Sequence, residues 1–163
     1  MDLNGVAAIV TGGAVRLGRA IALALADAGV DIGLHHFHSR DAADQTCAEI
    51  RARGTRVVSI QADLTDAVKS AQHIVAETTA AFGGIDILIN SAAVFEAETL
   101  QALTSDGWQR TLSINLQAPT FLCQEFSAQL SSDQPGQIVN IVDWRAARTE
   151  PGHPAYTRSQ SGP

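Results

Sequence analysis

The sequence predicts an α/β fold in which helices cover both faces of a doubly wound parallel sheet. Three observations lead to this prediction. Short runs rich in valine and isoleucine alternate with longer amphipathic stretches along most of the chain. These runs are almost continuously apolar, as strands buried on both faces of a parallel sheet usually are. The links between the two kinds of segment are short, which is typical of right-handed strand–helix–strand crossovers.

The predicted strands and helices follow one another in strict alternation. The strands are Val6–Thr11, Asp31–His36, Arg56–Ile60, Ile85–Asn90 and Gln137–Val142. The helices are Leu17–Ala28, Ala42–Arg53, Ala67–Phe82 and Ser105–Leu130. Gly29 and Gly54 follow the first two helices, at the position where a left-handed residue is favoured. Asp41 is expected to cap the second helix, and Thr65 or Asp66 the third.

The segment 145–163 departs from this alternation. It is polar, and it contains Pro151, Pro154 and Pro163. Since no further apolar strand follows, we expect an irregular tail and an uncovered sheet edge. The alternative is a loop that folds back over the core. In either case, residues 1–163 are expected to form a single domain.

Composition and charge exclude several classes of function. A net charge of −6 argues against nucleic acid or an anionic membrane surface as partner. No apolar run approaches the ~20 residues of a membrane-spanning helix, and the start of the chain lacks the pattern of a signal peptide. Cys47 and Cys123 match no metal or redox spacing. We therefore expect a cytoplasmic protein that acts on a small molecule.

A glycine-rich turn follows the first predicted strand and opens the first helix. It reads Thr11-Gly12-Gly13-Ala14-Val15-Arg16-Leu17-Gly18. In this context, backbone N–H groups at the positive end of a helix can approach a pyrophosphate. Gly12 permits the tight turn, and Gly18 allows the helix to pack close to the sheet. The sequence therefore predicts a dinucleotide-binding turn.

The turn resembles that of the short-chain dehydrogenase/reductase family, Thr-Gly-x-x-x-Gly-x-Gly. The chain matches at Thr11, Gly12 and Gly18, and it carries Arg16 where the middle glycine usually stands. An arginine at this position is similar to the pteridine reductase branch, and a guanidinium can pair with a phosphate. The resemblance implies a Rossmann-type sheet with strand order 3-2-1-4-5. It also implies that the later strands of the family domain are missing, so that the domain is truncated at its C-terminal end.

The end of the second strand bears on which dinucleotide is bound. NAD-preferring folds place a carboxylate there, but this chain has none before Asp41. Instead Arg16, His38, Ser39 and Arg40 could converge on a 2′-phosphate, which favours NADP(H). The resemblance assigns cofactor contacts to Thr11, Gly12, Arg16, Leu17, Gly18, His36, His38, Ser39, Arg40, Asp63, Leu64, Asn90, Ser91 and Ala92.

Three of these assignments have competing interpretations. His36 and His38 form a closely spaced group with His35 that suggests a metal site, but no clear third ligand of a useful type follows, so we expect no metal. Asp63 matches an adenine-contacting acid of the family and is also suited to the region before a helix. Asn90, with the small residues after it, is consistent with a plain strand end.

The resemblance also implies a catalytic set. Tyr156 matches the general acid of the family. Asp143 stands where most members carry serine and pteridine reductases carry aspartate. Asn115 matches an asparagine that holds a water in a proton relay, although it could simply mark a helix bend before Pro119.

One catalytic position departs from the family pattern. The family has a lysine four residues after the tyrosine, and this chain has Gln160. A phenol with a reference pKa of about 10 needs a nearby cation to exchange its proton near neutrality. The leading hypothesis is an NADPH-dependent, pteridine reductase-like enzyme that transfers a hydride to a C=N or C=O bond. The alternative is an inactive truncated or frameshifted fragment that at most binds dinucleotide, and for it the homo-oligomer usual in the family is an open question.

Overall fold

The computed structural model describes residues 3–131, 133, 135–148 and 152–161. Its strands are β1 (Ala7–Val10), β2 (Asp31–His36), β3 (Val57–Gln61), β4 (Ile87–Asn90) and β5 (Gln137–Asn140). They form one parallel sheet in the order β3-β2-β1-β4-β5. The predicted α/β class and the strand order are therefore confirmed.

Six α-helices accompany these strands in the described part of the chain. They are α1 (Arg16–Asp27), α2 (Arg40–Ala52), α3 (Ala67–Phe82), α4 (Ser105–Leu112), α5 (Ala118–Gln129) and α6 (Pro154–Gln160). A π-helical turn, Ser113–Gln117, joins α4 to α5, and a 3-10 turn, Trp144–Ala146, follows β5. None of the described helices is both long enough and apolar enough to span a membrane.

The sheet separates two hydrophobic cores because successive side chains of a strand point to opposite faces. Ala8 and Val10 of β1 lie in the core against α1 and α2, whereas Ile9 lies in the core against α3 and α5. The first core also contains Val30, Ile32, Leu34, Cys47 and Ile50. The second also contains Ile74, Ile85, Leu88, Leu122 and Phe126. The central strands are therefore covered on both sides, as their apolar sequences predict.

The helix-end predictions had different outcomes. Gly29 and Gly54 have φ of +91° and +86°, as expected after the first two helices. Asp66 caps α3 by accepting a hydrogen bond from the backbone N of Lys69. The prediction for Asp41 was wrong: α2 begins at Arg40, two residues before the predicted start, and Asp41 lies in its first turn. An acidic residue there still interacts favourably with the positive end of the helix.

The single helix predicted over Ser105–Leu130 is interrupted. Its centre is the π-helical turn, which contains the buried Asn115. Pro119 has no N–H to donate to the carbonyl of residue 115, four positions earlier. The regular ladder is therefore broken at this point, and a widened turn replaces it.

The prediction of an irregular tail was wrong for much of the described part of residues 145–163. The chain enters the 3-10 turn and then forms α6, which packs against α4 and the π-helical turn. Pro154 stands near the start of α6, where its fixed φ and missing N–H are tolerated. Residues 149–151, 162 and 163 fall outside the described part, so Pro151 and Pro163 cannot be compared with the expectation.

Candidate active site

A cleft of about 680 Å³ runs along the carboxyl ends of the strands. We call this cavity the main cleft. It lies outside the point between β1 and β4 where the strand order reverses, the usual ligand site of such sheets. Its lining includes Gly12 and Gly18 at one end and Asp143 and Tyr156 at the other. The glycine turn and the phenol thus share one cavity.

Most of the predicted site residues line the main cleft. They are Gly12, Arg16, Leu17, Gly18, His36, His38, Ser39, Asp63, Leu64, Ser91, Ala92, Asp143 and Tyr156. Four predicted residues do not line the main cleft: Thr11, Arg40, Asn90 and Asn115. Of these, Arg40 is an exposed residue at the start of α2, and the other three are buried.

The glycine turn is held by very close backbone contacts. A Cβ built on Gly18 would lie 2.3 Å from the carbonyl oxygen of Gly12, and one on Gly12 would lie 3.0 Å from Cα of Ala92. Arg16 has φ of +50°, a conformation that is strained for a residue with a side chain. Such strain is concentrated at ligand sites in many proteins. Close packing and strain together define a rigid turn.

Thr11 connects this turn to the segment after β4. Its Oγ1 accepts hydrogen bonds from the backbone N of Ser91 at 2.9 Å and of Ala92 at 3.0 Å. The hydroxyl therefore fixes the distance between the two sides of the main cleft. Thr11 has a positioning role here, and its direct contact with a cofactor stays a prediction.

His35 is a site residue that the sequence analysis did not identify. Its Nδ1 accepts the N–H of Gly12 at 3.2 Å, and its Nε2–H donates to the carbonyl of Ala62 at 3.1 Å. Its own carbonyl accepts the N–H of Gly13 at 3.0 Å. Burial lowers the pKa of His35 to about 4, so the ring is neutral at physiological pH. Among the described residues, no group of three or more potential ligands is arranged to hold a metal ion.

The end predicted to take the 2′-phosphate is formed by the loop after β2. His36, His38 and Ser39 line the main cleft there, with Phe37 tilted against His38 at 3.8 Å between ring centroids. Nδ1 of His36 is buried and makes no hydrogen bond of normal geometry within the described chain. Burial lowers the pKa of His36. This loop therefore offers to a ligand a buried ring nitrogen that makes no hydrogen bond of normal geometry within the described chain.

Tyr156 stands at the opposite end of the main cleft. Its ring meets that of Phe95 edge-on, with centroids 4.6 Å apart, and Asp143 faces its hydroxyl. Burial raises the pKa of Tyr156, and the charge of Asp143 and its hydrogen bond raise it further. Arg145 acts in the opposite direction. The phenol is therefore biased towards its protonated form.

Gln160 and Asn115 support this end of the main cleft from behind. Oε1 of Gln160 accepts the backbone N–H of Asp143 at 2.8 Å. The amide of Asn115 exchanges two hydrogen bonds with the backbone of Val94, both 2.9 Å, and donates to Ser159 Oγ at 3.1 Å. Asn115 therefore ties the loop after β4 to α6. Both residues line a smaller cavity of about 290 Å³ beside the sheet.

Several lining residues carried no recognisable signal in the sequence. They include Val94, Phe95, Arg110, Ile114 and Val142. Phe95 lies in the long segment between β4 and α4, which has no periodic pattern. An aromatic residue in such a segment was the available clue in the sequence, and the structure shows that it is 52% exposed.

The comparisons with known proteins agree with this fold and site. The family model described as "short chain dehydrogenase" matches residues 6–162. A 3-oxoacyl-[acyl-carrier-protein] reductase of Synechocystis is 32% identical over 161 residues, which cover 98% of this chain and 64% of that protein. The corresponding FabG reductase of Staphylococcus epidermidis is 29% identical and is covered to 63%.

Solved structures are similar over nearly the whole chain. A short-chain dehydrogenase from Burkholderia cenocepacia in complex with NADP superimposes with a TM-score of 0.93 at 36% identity, covering 99% of this chain and 65% of that one. FolM alternative dihydrofolate reductase 1 from Brucella suis, also in complex with NADP, gives 0.89 at 32% identity, with 96% and 64% covered.

A parallel sheet of this order, with a glycine turn after its first strand, defines a Rossmann-type α/β fold. The chain belongs to the short-chain dehydrogenase family. It spans just under two thirds of the length of these relatives.

Proposed function

We propose that this chain forms the NADP(H)-binding and catalytic part of a short-chain reductase similar to pteridine reductases. The reaction is transfer of a hydride to a C=N or C=O bond of a small molecule, with Tyr156 as general acid. The observation that carries the proposal is the continuity of the main cleft from the glycine turn to Tyr156 and Asp143. The residues proposed to bind the dinucleotide and those proposed to act on the substrate therefore line one cavity.

The residues at the glycine turn and after β2 fit NADP(H). The turn presents backbone N–H groups at the start of α1. Arg16 and His38 supply donors beside the loop, and His36 has an unpaired Nδ1. The NADP complexes of two similar structures support the same cofactor. When bound, the cofactor supplies the hydride.

The residues of this chain handle the proton and the orientation of the substrate. Tyr156 donates its hydroxyl proton to the substrate atom that gains negative charge as the bond is reduced. Asp143 lies beside it and can hydrogen-bond a ring nitrogen or a hydroxyl group. Asn115 holds the loop at Val94 that forms one wall of the main cleft.

The proposed substrate is a reduced pterin or folate with a C=N bond. Arg16 and Asp143 resemble the pteridine reductase pattern, and the name of one structural relative describes a dihydrofolate reductase. Curated relatives named 3-oxoacyl-[acyl-carrier-protein] reductases make an acyl thioester the competing substrate class.

A second candidate function is dinucleotide binding without turnover. Gln160 favours it because a neutral amide stands where the family has a lysine. The raised pKa of Tyr156 favours it as well, since proton exchange by the phenol becomes slower near neutrality.

NADPH binding and NADPH oxidation with dihydrobiopterin separate these functions. We expect saturable NADPH binding, and slow turnover that Tyr156→Phe abolishes while leaving binding intact. Binding with no turnover above the Tyr156→Phe control supports the second candidate. In that case Gln160→Lys should create turnover. A folded chain that binds no NADPH would refute both.

A further inference from the structure

Arg145 brings a positive charge to the site from a part of the chain where no motif predicts one. It lies in the 3-10 turn that begins four residues after the end of β5. Its Nη1 contacts both carboxylate oxygens of Asp143, at 3.2 Å and 3.3 Å. Its side chain is only 18% exposed. A partly buried pair of this kind is screened less by salt than a surface pair.

The guanidinium is also held by aromatic rings. It lies 4.6 Å from the ring centroid of Trp144 and 5.2 Å from that of Phe95. Phe95 in turn packs edge-on against Tyr156. Cation–π contacts of this type are made more often by arginine than by lysine. Arg145, Asp143, Phe95 and Tyr156 therefore form one contiguous cluster, which we call the Arg145 cluster.

The backbone of the 3-10 turn fixes this arrangement. Oδ1 of Asp143 accepts the N–H of Arg145 at 2.9 Å, so the carboxylate caps the turn that carries the arginine. Gln160 holds the N–H of Asp143 from the other side. Arg145 therefore positions the carboxylate of Asp143, and Gln160 positions the backbone of the same residue.

The other charged groups around the Arg145 cluster are engaged elsewhere. Arg110, from α4, forms an ion pair with Glu96. His153 stacks on Phe95 at 4.1 Å, and its Nδ1 meets the carbonyl of Glu96 at 3.0 Å. Among the described residues, the charges that act on the Tyr156 hydroxyl are Asp143, which disfavours its ionisation, and Arg145, which favours it.

We propose that Arg145 is a positioning residue that supplies, from the turn after β5, the positive charge that the family places four residues after the tyrosine. It acts by offsetting Asp143 beside the phenol, and its use in turnover rests on the function proposed above. With the neutral Gln160 at the lysine position, the positive charge at the site is then that of Arg145.

The single tyrosine of this chain allows a direct test. Biosynthetic replacement of tyrosine by 3-fluorotyrosine places one fluorine label, at position 156, and lowers the ionisation range of the phenol. Its ¹⁹F chemical shift is followed against pH in the otherwise unaltered chain, with circular dichroism as a record of folding. Tyr156→Phe removes the signal and serves as the blank.

We expect Arg145→Gln to raise the ionisation midpoint of the label by about one pH unit, as loss of a nearby opposite charge does. Arg145→Lys should restore most of this change, because it keeps the charge. Arg148→Gln is the matched control, since Arg148 is an exposed arginine of the same segment. It should leave the midpoint unchanged.

Equal midpoints for Arg145→Gln and Arg148→Gln would overturn the proposal. So would a loss of thermal stability in Arg145→Gln and Arg145→Lys alike with no change in either midpoint, because that result describes a structural role alone. Failure of the proposed function is a separate result, since absence of NADPH binding or turnover leaves the titration readable.

Discussion

At the scale of single residues, His35 joins segments that are far apart in the sequence. Its neutral ring accepts from Gly12 and donates to Ala62, which requires Nδ1 to be unprotonated. Protonation would place an N–H on Nδ1 of His35, and this N–H would then face the N–H of Gly12. The buried ring is therefore an acceptor on which the shape of the main cleft depends.

The pH dependence of stability follows from the lowered pKa of His35. The folded-state pKa is about 4 and the unfolded value is 6.5, so between these values the unfolded chain binds more protons. The stability contribution is present above pH 6.5 and is lost as the pH falls towards 4. Its size is on the order of 3 kcal/mol.

Chemical denaturation between pH 4 and 7 measures this effect. His35→Asn keeps an acceptor near the position of Nδ1 and removes the titration, so its pH profile should be flatter than that of the natural chain. His73→Asn, on the exposed face of α3, should retain the natural profile. A natural profile in His35→Asn would contradict the role assigned to the ring.

At the scale of elements, the turn between β1 and α1 depends on the absence of side chains. Gly18 lies in the first turn of α1 and faces the carbonyl of Gly12. Since the three nearest atoms that a Cβ would approach all belong to the backbone, the contact cannot be relieved by a side-chain rotation. The close approach of helix and turn is what shapes the phosphate end of the main cleft.

Gly18→Ala should therefore distort the turn. We expect a loss of about 1–3 kcal/mol in the free energy of unfolding and about tenfold or more weaker NADPH binding, which corresponds to about 1.4 kcal/mol. Thermal denaturation and NADPH titration measure the two effects. Gly84→Ala is the control, because a Cβ there would meet nothing within 4 Å. Equal NADPH affinity in the two variants would contradict the role of the turn.

Some of the elements and site residues could be predicted from the sequence, and others could not. Strand positions followed from continuous apolar runs, and Tyr156 and Asp143 were predicted from the resemblance to the family. A helix bend before Pro119 was one alternative for Asn115, but the π-helical turn was not predicted, because Asn115 also contacts Val94, which lies in a loop. Residues whose partners are distant in sequence have no local pattern to reveal them.

At the scale of the whole molecule, the strand order decides which residues meet. Reversal of order between β1 and β4 places the glycine turn after β1 beside the segments that follow β4 and β5. Arg145 and His35 acquire their roles only through this arrangement, so neither could be assigned from spacing. In the described part of the chain, β5 is an edge strand with all of its residues exposed.

The central claim is that one bound dinucleotide spans the main cleft from the glycine turn to Tyr156. The most direct measurement is the ¹⁹F signal of 3-fluorotyrosine at position 156 during titration with NADP⁺. We expect a saturable change in this signal. Adenosine 2′,5′-bisphosphate, which carries only the phosphate end, should compete for the site without reproducing the change. Saturable NADP⁺ binding, established by calorimetry, with an unmoved tyrosine signal would contradict the account.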